Sequence, residues 1–197
     1  MLAKLLCGGI MDPMTYYGSK ELASAFRTVR KNTIQIAEDI PEEKYRFNPA
    51  PNSRTVAETL AHIAMVPRFQ LMLGKVNSME GFDAMKFFGE AAAEEAKPRT
   101  KAELLQLLRE GGEEYARWVE SLPEDFLAQI FTFPAGAQPP SRTRFDMIMS
   151  VKEHEMHHRG QLMLVERMLG ITPHLTRQMQ ERMAAMQQQP QPAAHRT

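Results

Sequence analysis

The chain has 197 residues, and its 24 basic side chains balance 24 acidic ones. That length supports one well-buried domain and is short for two, and zero net charge gives no general attraction to nucleic acid or anionic lipid. A single cysteine excludes a disulfide scaffold and a cysteine-rich zinc module, and the apolar runs fall far short of the roughly 20 residues of a membrane span.

Residues 1–18 read as a flexible leader. Gly8 and Gly9 interrupt an apolar stretch too short for a secretory signal, so a cytoplasmic protein is the default expectation. A first helix is predicted from Ser19 to Ile40, with Leu22, Phe26, Val29, Ile36 and Ile40 as its core stripe. Pro41–Ser53 carries Pro41, Pro49 and Pro51 and reads as an extended crossover. Thr55 with Glu58 is a capping box that opens a second helix running to Leu73, kinked at Pro67 and stopped by Gly74. Positions 75–98 fit no single pattern, with a short exposed helix expected at Ala91–Ala96.

Thr100 and Glu103 form a second capping box, and a third long helix follows through Leu122 to Pro123. Ser141 and Thr143 are candidate caps of a fourth helix that runs to Leu169, closed by Gly170 and Pro173. Strand alternation is confined to the short Ile130–Phe133 run. Residues 19–173 therefore read as an all-α four-helix bundle whose long connections exclude a simple up-down-up-down order. Residues 174–186 form a short amphipathic helix (Leu175, Met179, Met183, Met186) that could dock, and 187–197 a disordered Gln- and Pro-rich tail.

The chemistry concentrates between His154 and Leu162. On a helix, His154 and His158 lie about 40° apart and one turn from each other, on the stripe of Met147, Val151 and Val165 that faces the core. Buried imidazoles without partners cost about 1–3 kcal/mol each, so hydrogen bonds or a metal ion must compensate. Histidines at i and i+4 converge on one ion, and a third ligand must come from another helix. His62 is the other histidine inside a predicted long helix, whereas His174 and His195 read as surface residues.

These segments resemble the DinB/YfiT-like superfamily of metal-binding four-helix bundles. The resemblance spans Ser19 to Pro173. It rests on Phe47-Asn48-Pro49-Ala50-Pro51, on Ala57-Glu58-Thr59-Leu60-Ala61-His62-Ile63, and on His154-Glu155-Met156-His157-His158-Arg159-Gly160-Gln161-Leu162 followed by Gly170-Ile171-Thr172-Pro173. It implies up-down-down-up connectivity and a divalent metal (zinc, nickel or iron) on His62, His154 and His158. It also implies a small-molecule substrate, with a low-molecular-weight thiol as cosubstrate, as in mycothiol- or bacillithiol-dependent transferases and isomerases. The functional expectation is a metal-dependent thiol transferase or hydrolase; the alternative is a non-catalytic metal-binding dimer. His157 has no assigned role.

Two further readings use the same helix. His154-Glu155-x-x-His158 matches the zinc-protease pattern with Glu155 as general base, but the metzincin continuation is missing and neither Glu166 nor Glu181 is well placed as a further ligand. Outside that role, Glu155 is expected in solvent or paired with Arg159. Met149, Met156 and Met163 recur every seven residues opposite the histidines, which suggests an apolar face covered by a second copy of the chain or by the C-terminal segment, the homodimer being preferred.

Overall fold

The capped amphipathic runs become the long helices. The computed structural model describes residues 17–188, so the leader up to residue 16, the tail from residue 189 and His195 lie outside the described residues. In chain order the elements are α1 (Ser19–Asp39), a 3-10 turn (Glu42–Lys44), α2 (Val56–Leu73), α3 (Ala84–Glu95), α4 (Lys101–Glu120), α5 (Glu124–Ala128), β1 (Ile130–Thr132), β2 (Ser141–Thr143), α6 (Arg144–Met168) and α7 (His174–Gln188).

Both capping boxes form. The backbone N–H of Glu58 donates to Thr55 Oγ1 while Glu58 accepts from the Thr55 N–H, and Thr100 and Glu103 repeat the arrangement. Thr143 caps α6 by accepting from the Asp146 N–H at 3.1 Å, whereas Ser141 lies in β2, which pairs antiparallel with β1.

Side-chain contacts give the connectivity. Arg27 reaches Glu113 and Glu120 while Glu38 reaches Arg109, so α4 runs antiparallel to α1. The early residues of α1 pack with Ile148 and Val151 and the late ones with Leu162 and Val165, so α6 runs parallel to α1. Arg144 at the start of α6 donates to the Leu73 carbonyl at the end of α2, so α2 runs antiparallel to α6. The order is up-down-down-up, with α1 and α2 on opposite corners.

Two apolar layers fill the bundle, one around Ile36, Leu60, Leu108 and Leu162 and the other around Phe26, Tyr115, Val119 and Ile148. Between them lies a buried ion pair. Arg30 Nε donates to Glu155 Oε1 at 2.9 Å and Nη2 to Oε2 at 2.9 Å; Nη1 donates to the Leu108 carbonyl at 2.7 Å and Nη2 to that of Ile63 at 3.3 Å. Glu155 is 2% exposed, so neither solvent nor Arg159 is its partner.

Other expectations change as well. α2 runs through Pro67 to Leu73 as expected, but Gly74 ends it without a left-handed conformation. What Gly74 supplies is space: a Cβ there would lie 2.4 Å from Trp118 Cζ2. α3 is twice the expected length, beginning before Ala91. The third long helix stops at Glu120, before Leu122, and α5 follows it. Met149 and Met163 pack against separate core layers, which leaves Met156 exposed and gives a dimer no continuous methionine seam.

Gly170 (φ 78°) reverses the chain after α6, with the Ile171 N–H donating to the Glu166 carbonyl at 2.8 Å. The reversal folds the first turn of α7 onto α1, which buries His174 instead of leaving it on the surface; Met179, Met183 and Met186 beyond that turn are exposed. His174 Nε2 meets Asn32 Oδ1 at 3.3 Å, Arg177 pairs with Asp39, and Glu166 is fully buried with no hydrogen-bond partner on either oxygen.

Breaking the central pair should cost more than replacing it. Glu155→Leu leaves a buried guanidinium unpaired and is expected to destabilise the protein by about 3–5 kcal/mol in urea, whereas the Arg30→Met/Glu155→Leu double variant should lose far less. A double variant as unstable as the single one would show that the pair contributes net stability beyond mutual neutralisation.

The α7 corner should respond to pH. Burial, reinforced by Asp39, pushes the Glu166 carboxyl up to about 7. A raised carboxyl pKa means that the folded protein binds the proton more tightly than the unfolded chain, so the stabilisation is complete in acid and is lost as pH rises through about 7. Glu166→Gln should therefore exceed the wild type in stability by about 1–3 kcal/mol near pH 8, with the advantage shrinking near pH 5. His174, shifted down by burial, destabilises both proteins alike on acidification and cancels from the comparison. Urea titrations at both pH values read the difference; an advantage independent of pH would assign Glu166 an ordinary titration.

Candidate metal centre

His62 comes from the middle of α2, while His154 and His158 come from successive turns of α6. The neighbouring residues fix the register: Arg30 holds the carbonyl of Ile63, next to His62, and the carboxylate of Glu155, next to His154. The three rings meet with centroids 4.9 Å (His62–His154), 4.8 Å (His62–His158) and 4.6 Å (His154–His158) apart. One candidate ligand atom from each lies within 4.8 Å of the others. His62 Nε2 and His154 Nε2 are 2.8 Å apart.

The outer nitrogens are engaged away from the cluster. His62 Nδ1 donates to Glu95 Oε1 at 2.6 Å, and Glu95 Oε2 accepts from Arg54 Nε at 3.2 Å. His158 Nδ1 donates to Gln161 Oε1 at 2.8 Å, and Gln161 Nε2 donates to His157 Nε2 at 3.1 Å. An N–H held at Nδ1 leaves the Nε2 lone pair free to bind a cation. Burial, followed by the charges of neighbouring imidazoles, pushes His154 down to about 4. Burial lowers His158 too, against the opposing effect of its hydrogen bond to Gln161. Three converging imidazoles, two of them with their outer N–H groups held, are a donor set that fits a divalent transition metal.

The remaining candidates lie elsewhere. His157 is exposed; it accepts from Gln161 and sets its ring edge-on to that of His158, with centroids 5.0 Å apart. Glu155 points into the core at Arg30, Glu166 is enclosed at the α7 corner, and Glu181 is exposed on α7. Among the described residues, none of these carboxylates belongs to the three-histidine group. Sequence reasoning missed Glu95 and Arg54. The available signal for Glu95 was the spacing of Phe87, Ala91, Glu94 and Glu95, which gives α3 an inward stripe.

A cleft of about 820 Å³ opens beside His158. Its walls come from the first crossover (Asn52, Ser53, Arg54), from α2 (Val56, Thr59), from the end of α3 (Ala92, Glu95, Ala96) and from α6 (Gln161, Leu162, Leu164, Val165). It combines apolar side chains with a few convergent polar groups, the usual make-up of a small-molecule site.

The fold and site define an all-α bundle with an internal three-histidine cluster that is compatible with metal binding. The family model of the DinB superfamily matches residues 25–162, and the chain belongs to that superfamily. It is 27% identical over 156 residues to the uncharacterized protein YjoA of Bacillus subtilis (strain 168), an alignment that covers 78% of this chain and 92% of that relative. The crystal structure of that DinB-like protein matches with a TM-score of 0.59 at 24% identity, covering 77% of this chain and 93% of the other, and supports the shared fold. Among the described residues no helix is long and apolar enough to cross a membrane.

Proposed function

We propose that His62, His154 and His158 hold one divalent metal ion through Nε2, and that the protein is an enzyme acting on a small molecule by thiol transfer or hydrolysis. The observation that carries this reading is the convergence of three imidazoles beside an open cleft, with the outer nitrogens of two of them already held by Glu95 and Gln161. A bound divalent ion would supply Lewis acidity, lowering the pKa of a water or thiol so that a nucleophile is available at neutral pH. Three protein ligands leave coordination positions open, as catalytic zinc sites do, and a soft thiolate suits such a position.

The chain's own groups do the positioning. Glu95 and Gln161 fix the ring orientations of His62 and His158. Val56, Leu162 and Val165 provide apolar contact along the cleft, while Arg54 and Gln161 offer polar contacts to the substrate. A buried, ion-paired Glu155 cannot reach a nucleophilic water, which argues against peptidase chemistry.

The purified protein is expected to bind about one divalent ion per chain, most of it lost in His62→Ala, His154→Ala and His158→Ala; elemental analysis also decides among zinc, nickel and iron. Small thiols should perturb the visible spectrum of the cobalt-substituted protein and leave those variants unchanged. Metal content equal to wild type in all three variants would remove the site. Metal binding with a spectrum indifferent to thiols would favour a non-catalytic metal-binding protein. Peptide hydrolysis abolished by Glu155→Gln would restore the protease reading.

A further inference from the structure

Among the described residues, α3 hydrogen-bonds to other helices and crossovers through one side chain. Its N-terminal half leans on α2 through aromatic contact, with the Phe87 ring 4.4 Å from Phe69 and 5.3 Å from Phe82. Its outer face is bare: Met85 is 85% exposed and Phe88 61%. At its C-terminal end, Glu95 places one oxygen 2.6 Å from His62 Nδ1 and the other 3.2 Å from Arg54 Nε. The remaining side-chain bonds of that end are local, from Lys97 and Arg99 to Glu94.

We infer that Glu95 is a positioning residue that couples ion binding at His62 to the docking of α3, so that occupation of the centre fastens the helix that walls the cleft. This rests on the reading of the three histidines as a metal site. A neutral imidazole carries one N–H. A carboxylate at Nδ1 holds it there, which directs the Nε2 lone pair toward His154 and His158. A cation at Nε2 withdraws electron density from the ring and makes Nδ1–H a stronger donor to Glu95. The coupling is reciprocal: the bond that tightens α3 when the ion binds also tightens the ion when α3 is docked. Arg54 completes the clamp by holding the second oxygen and so fixing the carboxylate plane. Since Ala92, Glu95 and Ala96 all line the cleft, the position of α3 sets its width.

The test uses the full chain with zinc alone, measuring affinity by competition with a chromophoric chelator and α3 mobility by amide hydrogen exchange. Zinc should slow exchange across residues 84–96 in the wild type. Glu95→Ala should bind zinc about 10–100-fold more weakly and lose the zinc response of α3. Glu95→Gln retains an acceptor for the Nδ1 proton and should recover part of both effects. Glu95 lies outside the bundle core, so both variants are expected to keep the wild-type helical content by circular dichroism. Zinc affinity unchanged in Glu95→Ala, or α3 exchange indifferent to zinc in the wild type, would overturn the coupling and leave the metal site standing. Absence of zinc binding by the wild type would overturn the site itself.

Discussion

The guanidinium of Arg30 lies where four helices meet, and it touches all of them. It belongs to α1, takes the Leu108 carbonyl of α4 and the Ile63 carbonyl of α2, and grips both oxygens of Glu155 on α6. Removing two charges from water costs several kcal/mol each, and such a pair persists only when nearly every donor and lone pair is satisfied. That requirement makes the arrangement directional, unlike the apolar layers on either side. A bundle packed by leucine and isoleucine alone tolerates small slides between helices; a five-donor fork bound to three other helices does not. Because Ile63 follows His62 and Glu155 follows His154, the same constraint sets the register of the imidazoles. Gly112 belongs to this arrangement, since a Cβ there would come within 2.9 Å of Arg30 Cγ and Nη1.

The long helices and the meeting of the three histidines were legible because their signals are local and periodic. Capping boxes announce helix starts, the 3.6-residue stripe identifies the buried face, and two histidines one turn apart on that face point to one place. What escaped depends on contacts distant in sequence. Glu155 has Arg159 one turn away, yet its partner is Arg30, 125 residues distant. His174 follows a Gly–Pro boundary that marks a helix end, and nothing local says that the reversal lands on α1. Gly74 occupies a position where a left-handed stop is expected, but its lack of a side chain serves the Trp118 ring. α3 was under-read because its inward stripe is thin, a phenylalanine, an alanine and two glutamates, and the weight of that stripe lies in the polar bond to His62.

Glu155 and Glu166 show how one helix face can treat the same side chain in two ways. Eleven residues apart, they differ by about 20° around the helix and both face inward. At the bundle centre a guanidinium meets Glu155 and keeps its charge compensated. At the end of the bundle Glu166 is enclosed by the turn into α7, where the nearby cations Arg167 and Arg177 are committed to Thr176 and the Met163 carbonyl, and to Asp39 and the Thr172 carbonyl. The ordinary outcome of enclosing a carboxyl without a donor is a raised pKa, which makes this corner responsive to pH near neutrality.

Topology explains why the cleft lies beside the histidines. Placing α1 and α2 on opposite corners forces the chain to cross the bundle between them, and two parallel neighbours, α2 and α4, require a second long return. Residues 49–54 of the first crossing and 92–96 of the second both reach the open edge between α2 and α6 and wall the cleft there. The histidines thus stand on the rigid part of the fold, fixed by the central ion pair, while the cleft beside His158 is shared between side chains of α2 and α6 and the connecting segments that close over them. Substitutions in those segments alter cleft shape and charge without disturbing the register of the imidazoles. A bundle of this connectivity can therefore keep one arrangement of imidazoles while its crossovers vary what is brought to it, and Glu95 is the point at which the two parts touch through a hydrogen bond.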